Sequence, residues 1–314
     1  MFVSIVTTSY NRAYRLPILY ESICKQVDTD FEWVIVDDGS TDDTESLVNS
    51  YIEENKVLIR YFKKENGGMN TAMNVGVNNS EGLFVFKVDS DDIILPNAIE
   101  RIRYYYDSGF WKENQDNKLC GLCFLNQDIK GEIIGNRFTK DLFISDYIEE
   151  RVNNNIKGDK SEVIFTEVRK RFPYMEFPNE KRYPTSGVLA SISKEYNMVF
   201  INESIYIRDY QTDGITKSGT NKGVFATPHG MIHHSNIFMT KDFKFNIRLQ
   251  NSVFYILSCI YTKEKMFHTI SNSTAPFLVS LMYLPSLALY IYLQLKEKSL
   301  LRLSQVFFKN LFVY

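Results

Sequence analysis

Residues 86 to 96 read FKVDSDDIILP and crowd the carboxylates of Asp89, Asp91 and Asp92 around Ser90, directly behind an apolar run. Side-by-side carboxylates repel, and burying them unpaired is costly, so the pattern calls for a cation. Side chains alternate along extended chain, which puts residues 89 and 91 on one side. Two carboxylates so placed make a hard-oxygen site for magnesium or manganese, ions that keep some waters and complete their shell with substrate phosphate oxygens. Asp91 and Asp89 are therefore the candidate metal ligands, with Ser90 between them. An ordinary helix start, with Asp92 as cap and Pro96 opening NAIERIRYYY, accounts for Asp92 but leaves Asp89 unexplained.

VIVDDGSTDDTE has a similar double reading. Ser40 to Thr44 look like helix-start chemistry. Asp37 and Asp38 come earlier, where a strand ends, and an aspartate there can accept from the ring N–H of a pyrimidine base; Gly39 permits the sharp turn. In ENGGMNTAMNVG a glycine pair precedes a helical turn, a place where backbone N–H groups favour phosphate, although a plain turn has the same signature. The Gly-Lys-Ser/Thr ending of a P-loop is absent. His229, His233 and His234 have no acidic or cysteine partner at companion spacing, so a helix near a substrate entrance is a better reading than a metal site. Cys120 and Cys123 lack a second pair and read as small apolar residues of a strand, with free thiols suited to a reducing cytoplasm.

The elements that must position these groups alternate over the first hundred residues. FVSIVTT, FEWVIVDD, KVLIRYF and LFVFKVD are strand-like, and RLPILYESICKQ, TDDTESLVNSYIEE and MNTAMNVGVNNS are helix-like. Such alternation means βαβ units and a mainly parallel sheet buried on both faces, with ligands beyond the carboxyl ends of the strands. Thr7, Thr8, Tyr10 and Asn11 follow the first strand, Asp37 and Asp38 the second, Asn66 to Gly68 the third and Asp89 to Asp92 the fourth. Four strands thus aim polar groups at one edge. With 314 residues and a net charge of −2 the chain has ample core and no electrostatic footprint for nucleic acid. MFVSIVTTSYN starts on a strand, without the basic start and cleavage site of a signal peptide.

Beyond about residue 115 the pattern loosens. KLCGLCFLN and GEIIGNRF suggest a strand pair, KSEVIFTEVRKRF a helix begun near Asp159, and MVFINESIYIRDYQ extended chain. QTDGITKSGTNKG reads as a mobile loop. Ala275 to Leu295 carries no charge and is about long enough to span a bilayer. Pro285, Ser280 and the tyrosines weaken that reading. The basic, aromatic tail KEKSLLRLSQVFFKNLFVY favours attachment in the plane of an anionic membrane, ahead of core packing and of a true span.

VSIVTTSYNRAYRLPILYESICKQ, FEWVIVDDGSTDDT, ENGGMNTAMNVGVNNSEG and FKVDSDD together resemble the nucleotide-sugar-binding half of family 2 glycosyltransferases, inverting enzymes of the GT-A fold that build bacterial surface polysaccharides. The resemblance is strong over residues 1 to 110 and weaker to about Thr216, through GDKSEV and RDYQTDGIT. It implies a GT-A fold, Rossmann-like and mainly parallel, with a C-terminal helical extension. Residues 1–115 would form the nucleotide-sugar half, 116–222 the acceptor half with its loop, and 223–314 a helical, membrane-associated region. It implies that Asp38 recognises uracil with help from Thr8, Tyr10 and Asn11, and that Asp89 and Asp91 handle ribose and metal. Asn66, Gly68, Ser90 and Lys217 are further candidate contacts to the nucleotide, Lys217 or Lys222 by closing over the diphosphate. An acceptor hydroxyl would then attack the anomeric carbon in line, with Mn2+ or Mg2+ stabilising the leaving diphosphate and a carboxylate taking the proton.

That carboxylate is where the chain departs from the pattern. Relatives commonly carry Pro-Glu shortly after a GEKF-like stretch, whereas PNEKRYPTSGVLA has Thr185 after Pro184. Glu180 is the preferred replacement because it lies inside the matching segment; Glu176, Asp209 and Asp213 are the others. Met69 stands where relatives often have a basic residue. The expected partners are a UDP-sugar, a saccharide or lipid-linked saccharide acceptor and the inner face of the cell membrane, with no nucleic acid; a homo-oligomer is compatible with the sequence. The alternative is a sugar-nucleotide-binding protein without transfer activity.

Overall fold

A computed structural model describes residues 1–208 and 225–295. In chain order the first unit runs β1 (Val3–Ser9), α1 (Leu16–Cys24), β2 (Phe31–Asp37), α2 (Thr44–Glu54), β3 (Ile59–Lys63), α3 (Met69–Asn78) and β4 (Phe84–Lys87). β1 pairs in parallel with both β2 and β4, and β2 with β3. Each of the first three strands is followed by a helix because the apolar period switches from two to about 3.6 at the polar turn that ends it. Both faces are covered, and the two-residue alternation sorts the core. Ile5, Trp33, Ile35, Phe84 and Phe86 pack on one side, while Val6, Val34, Val36 and Val85 pack on the other.

The chain continues through β5 (Ile93–Ile94), α4 (Ala98–Tyr106), α5 (Gly109–Glu113), β6 (Leu119–Asp128), β7 (Phe143–Ser145), a turn of wider helix at Ile148–Asn153, and β8 (Lys160–Phe165). It then forms α6 (Thr166–Arg171), α7 (Thr185–Ser193) and β9 (Asn197–Arg208). The sheet order is β3-β2-β1-β4-β8-β6-β9-β5, with β7 also on β9. β8 lies antiparallel between β4 and β6, so the parallel first half becomes a mixed sheet. The chain leaves β1 toward β2 on one side and returns to β4 on the other. The crevice between the carboxyl ends of β1 and β4 is thus a topological switch point, the place where open α/β sheets bind ligands.

Two expectations are corrected here. KSEVIF is a strand and only TEVRKR is helical, because the β-branched Val163 and Ile164 face opposite cores from the middle of the sheet and tertiary pairing outweighs local preference. GEIIGNRF forms no strand of its own and touches β6 only through a bridge between Gln127 and Ile133. Cys120 and Cys123 are free, buried residues of β6.

The C-terminal region is helical: α8 (Pro228–Phe238), α9 (Phe245–Tyr261), α10 (Met266–Ser271) and α11 (Pro276–Leu295). α8, α9 and α11 pack on one another through Met239, Tyr255, Ile256, Leu278, Val279 and Tyr283. α11 is long and apolar enough to cross a membrane, with 28% of its apolar window buried, and Phe277, Leu281, Leu284, Ile291 and Tyr292 stand exposed along it.

Candidate active site

The cation that the carboxylate cluster calls for is supplied by the protein itself. Lys87, at the end of β4, places Nζ 2.7 Å from Asp89 Oδ1, and Arg208, at the end of β9, places Nη2 3.1 Å from Asp89 Oδ2. Arg208 also reaches Asp92 at 3.6 Å and Asp159 at 3.2 Å. Burial pushes the Asp89 carboxyl up, but Lys87 and Arg208 outweigh it and hold Asp89 well below the usual carboxylate range. Asp92 is not a helix cap. The cap position of α4 is Asn97, and Asp92 accepts from the buried Tyr206 hydroxyl at 2.8 Å, pushed up to about 7 by burial against the pull of Arg208. Tyr206 in turn accepts from the Asp89 N–H at 3.0 Å, which fixes the turn. Asp91, two residues on, is raised by burial and then by Asp89.

The donor set fits a divalent ion that relies on substrate oxygens. Asp91 offers hard carboxylate oxygens at the switch point, Asp89 is committed to Lys87 and Arg208, and no cluster of three or more metal-ligating side chains exists among the described residues. Asp91 would hold such an ion with a diphosphate completing the shell. Lys87 and Arg208 were not singled out from sequence, although Lys87 lies inside the FKVDSDD motif and Arg208 opens RDYQ. Ser90 is buried between the two aspartates.

At the end of β2, Asp37 accepts from Ser40 N–H at 2.7 Å and from the Tyr61 hydroxyl at 2.7 Å. Gly39, at φ +80°, turns the chain. Asp38 is almost fully buried and takes three donors: Lys64 Nζ at 2.8 Å, Gly67 N–H at 2.9 Å and Gly68 N–H at 2.7 Å. The glycine pair is therefore not an open phosphate cradle. Its N–H groups are spent on Asp38, and Gly68, at φ +95°, lies so close to Lys181 that a Cβ would sit 2.2 Å from the Lys181 carbonyl oxygen. Asn66 likewise bonds the Asp38 carbonyl at 2.8 Å and the Lys181 ammonium, so it pins the turn rather than facing open space. Asn11 gives its N–H to Ser40 Oγ and accepts from Thr41 N–H at 2.8 Å, whereas the Tyr10 ring is half exposed and Thr8 partly so at the end of β1.

Glu180, expected to take the acceptor proton, is placed otherwise. Its carboxylate accepts from His229 N–H at 2.7 Å, His229 Nδ1 at 2.9 Å and Gly230 N–H at 2.8 Å, capping the N-terminus of α8. All its bonds go to backbone and side chain at a helix start whose orphan N–H groups need an acceptor. Glu176 accepts from Asn74 at 2.8 Å on the surface. Asp209, Asp213, Lys217 and Lys222 lie outside the described residues.

Between α7, α8, α9 and the sheet is a cavity of about 460 Å³. Its lining includes the polar Lys87, Asp89, Asp159, Glu162, Thr185 and Arg208 and the apolar Leu189, Met231, Phe238, Ile247 and Phe254. His234 of α8 also faces it, its Nε2 3.0 Å from Ser186 Oγ and its ring stacked on Phe238. Burial pushes His234 down to about 3. The histidine helix thus borders the cavity, as its sequence suggests.

Residues 4–110 match the family described as glycosyl transferase family 2, a span that holds Asp38, Asp89 and Asp91. Glycosyltransferase GlyG of Streptococcus pneumoniae is 25% identical over 229 residues, covering 69% of this chain and 73% of GlyG. Several other relatives match about a third of the chain. An uncharacterized glycosyltransferase of Rickettsia felis is 35% identical over 109 residues, and chondroitin synthase of Escherichia coli 36% over 98, covering 34% and 31% of this chain. This chain spans only 18% and 14% of their lengths. Among solved structures, residues 1–349 of TarS of S. aureus in complex with UDP-GlcNAc superpose with TM-score 0.63 at 18% identity, covering 93% of this chain and 81% of that fragment. The mannosyltransferase PcManGT of Pyrobaculum calidifontis, in complex with GDP-Man and Mn2+, gives TM-score 0.55 at 15% identity, covering 99% and 87%. The fold is GT-A, and the likeness to glycosyl transferase family 2 covers residues 4–110, about a third of the chain.

Proposed function

We propose that the chain is a glycosyltransferase that moves a sugar from a UDP-sugar to a saccharide acceptor, with inversion at the anomeric carbon, in the assembly of a bacterial surface polysaccharide. The observation that carries this reading is the placement of the Asp38 turn and the Asp89–Asp91 pair after the carboxyl ends of β2 and β4, with Lys87 and Asp89 also lining the cavity of about 460 Å³. The likeness to TarS, solved with UDP-GlcNAc, and to chondroitin synthase supports the donor and product classes.

In this reading Asp38 recognises uracil. Three donors occupy about four lone-pair sites on its carboxylate, leaving one for a base N–H. Tyr10 offers an exposed ring at the end of β1. A divalent ion on Asp91, of the kind named for PcManGT, would stabilise charge on the departing diphosphate. Lys87 and Arg208 stand ready to pair with phosphate oxygens, since both already hold an anion there. We further propose that α11, with its exposed apolar residues, and the basic tail sequence hold the protein at the inner face of the cell membrane.

One observation favours a second reading, a sugar-nucleotide-binding protein without transfer: Thr185 occupies the position where relatives carry a carboxylate. The first test is direct. UDP binding to the wild type should weaken on adding a chelator, and Asp91→Asn should bind UDP with the weaker affinity in either condition while keeping its denaturation midpoint. Binding indifferent to chelator and to the substitution refutes the metal-assisted donor site.

A further inference from the structure

The cavity contains three carboxylates besides backbone oxygens, and they differ in what they already do. Both oxygens of Asp89 are paired, with Lys87 and with Arg208. Asp159 is paired with Arg208 Nε at 3.2 Å and its side chain is 49% exposed. Glu162 is less engaged than either: it lies on β8 opposite Cys123 of β6, its side chain 17% exposed, and among the described residues its ion-pair partner is Arg151, whose Nη1 donates to Oε1 at 3.5 Å. That contact is at the outer limit of a hydrogen bond, and Arg151 is otherwise spent on the carbonyls of Ile156 at 3.2 Å and Gly158 at 2.7 Å. Glu162 is thus a carboxylate with open lone pairs in the cavity wall.

Its placement follows from strand alternation. Val163 faces the core under α1 and α4, so Glu162 and Ile164 face the other side, toward α7 and the cavity. Lys87 of β4 lies on that same side, because its neighbour Phe86 pairs with Val163 and faces away. Thr185, the first residue of α7, lines the same cavity, and its hydroxyl is 3.0 Å from that of Tyr174. A threonine hydroxyl in that setting is no proton acceptor at neutral pH. His234 and Lys160 are nitrogen bases in the wall, but burial has cut the basicity of His234, and Lys160 Nζ is held by the carbonyls of Ile134 at 2.8 Å and Lys157 at 3.1 Å. Burial raises Glu162 above the usual carboxylate range, the direction a general base needs.

We propose that Glu162 takes the acceptor's proton in place of the carboxylate that position 185 lacks, a role that rests on the transfer reading above. The acceptor hydroxyl oxygen forms a bond to the anomeric carbon as the bond from that carbon to the β-phosphate oxygen breaks. The bonding pair leaves with UDP, and the hydroxyl proton passes to a carboxylate oxygen of Glu162 and from there to water. The apolar lining of the cavity would receive the part of the acceptor beyond the reacting sugar.

The test follows UDP release from UDP-glucose, UDP-galactose and UDP-N-acetylglucosamine with methyl hexosides as acceptors, in wild type, Glu162→Gln, Glu162→Asp and Thr185→Glu, beside UDP affinity and urea midpoint. Glu162→Gln should lose about 10²–10⁴-fold in rate with UDP affinity and midpoint kept, and Glu162→Asp should fall between. A Glu162→Gln rate equal to wild type overturns the assignment, as does loss of rate in both variants that merely follows a lowered midpoint. Wild type that binds UDP but turns over none of these donors, or does so only as Thr185→Glu, overturns it in favour of the binding reading. Wild type that does not bind UDP removes the donor reading itself, and this role with it.

Discussion

Glu180→Gln separates a catalytic carboxylate from a structural one. The wild-type carboxylate serves three donors, at 2.7, 2.9 and 2.8 Å, and its side chain is only 4% exposed. A glutamine has the same shape but one acceptor oxygen. Turned so that the oxygen meets His229, its amide N–H faces the Gly230 N–H; turned the other way, it faces His229. Either way at least one donor loses its acceptor in a buried place, at about 1–3 kcal/mol. Removing a negative charge from the start of α8 adds roughly 0.3–1 kcal/mol. The sum is about 1.3–4 kcal/mol of stability, read as a lower urea midpoint with an unchanged slope. UDP-sugar turnover at a temperature where both proteins are folded should stay within a few-fold of wild type. An unchanged midpoint with turnover down by about 10²-fold or more would refute the capping role and return Glu180 to the catalytic centre.

Further expectations follow from other contacts. His234 is held near 3 by burial against an ordinary 6.5, so the unfolded chain binds the proton first as pH falls. Its share of stability is whole above about pH 6.5 and declines below it by about 1.4 kcal/mol per unit, so about 2 kcal/mol is gone at pH 5. His234→Gln should flatten the stability profile between pH 7 and 5 by that amount; an unaltered slope would show that His234 does not titrate in this way. Arg208→Met strands Asp89, Asp92 and Asp159 together. Because Arg208 keeps 24% side-chain exposure, the loss should fall at about 1–3 kcal/mol, below the 3–5 kcal/mol of a fully buried pair, and Asp89→Asn in the same chain should recover part of it. A variant as stable as wild type would mean that water and relaxation replace the arginine. Leu281→Glu with Leu284→Glu, on the exposed side of α11, should abolish co-sedimentation with anionic vesicles and leave the urea midpoint in place. Full retention on the vesicles would rule out this face as the attachment surface.

The first four strands and the helices between them were legible because each βα unit is local, and the polar residues that end those strands lie together at one edge of the sheet. β8 was not legible, since EVIFTEVRKRF has helix-like spacing and only burial between β4 and β6 selects the strand. The same distinction holds at the site. The carboxylates of residues 89 and 91 are visible in one motif, but the arginine that neutralises Asp89 is 119 residues away and the tyrosine that holds Asp92 is 114 away. Nothing in ENGG says that Asp38 will claim both glycine N–H groups, because that bond crosses 29 and 30 residues. Glu180 was read as a chemical group from its motif context; that a helix 48 residues further on would need its charge is knowledge only the fold supplies.

Pro285 inside α11 sets a limit on where that helix can rest. Lacking an N–H, it leaves the carbonyl of Leu281 without its helical donor, one turn back and at a residue whose side chain is 62% exposed. In water such a carbonyl is solvated at little cost. Wrapped on all sides by hydrocarbon it would go unpaired, at several kcal/mol. The helix therefore carries a built-in wet notch near its middle, a feature that penalises full immersion far more than shallow contact. Because Leu281 itself belongs to the exposed apolar flank, any surface that covers this flank must leave that carbonyl a donor, from water or from a polar group of its own.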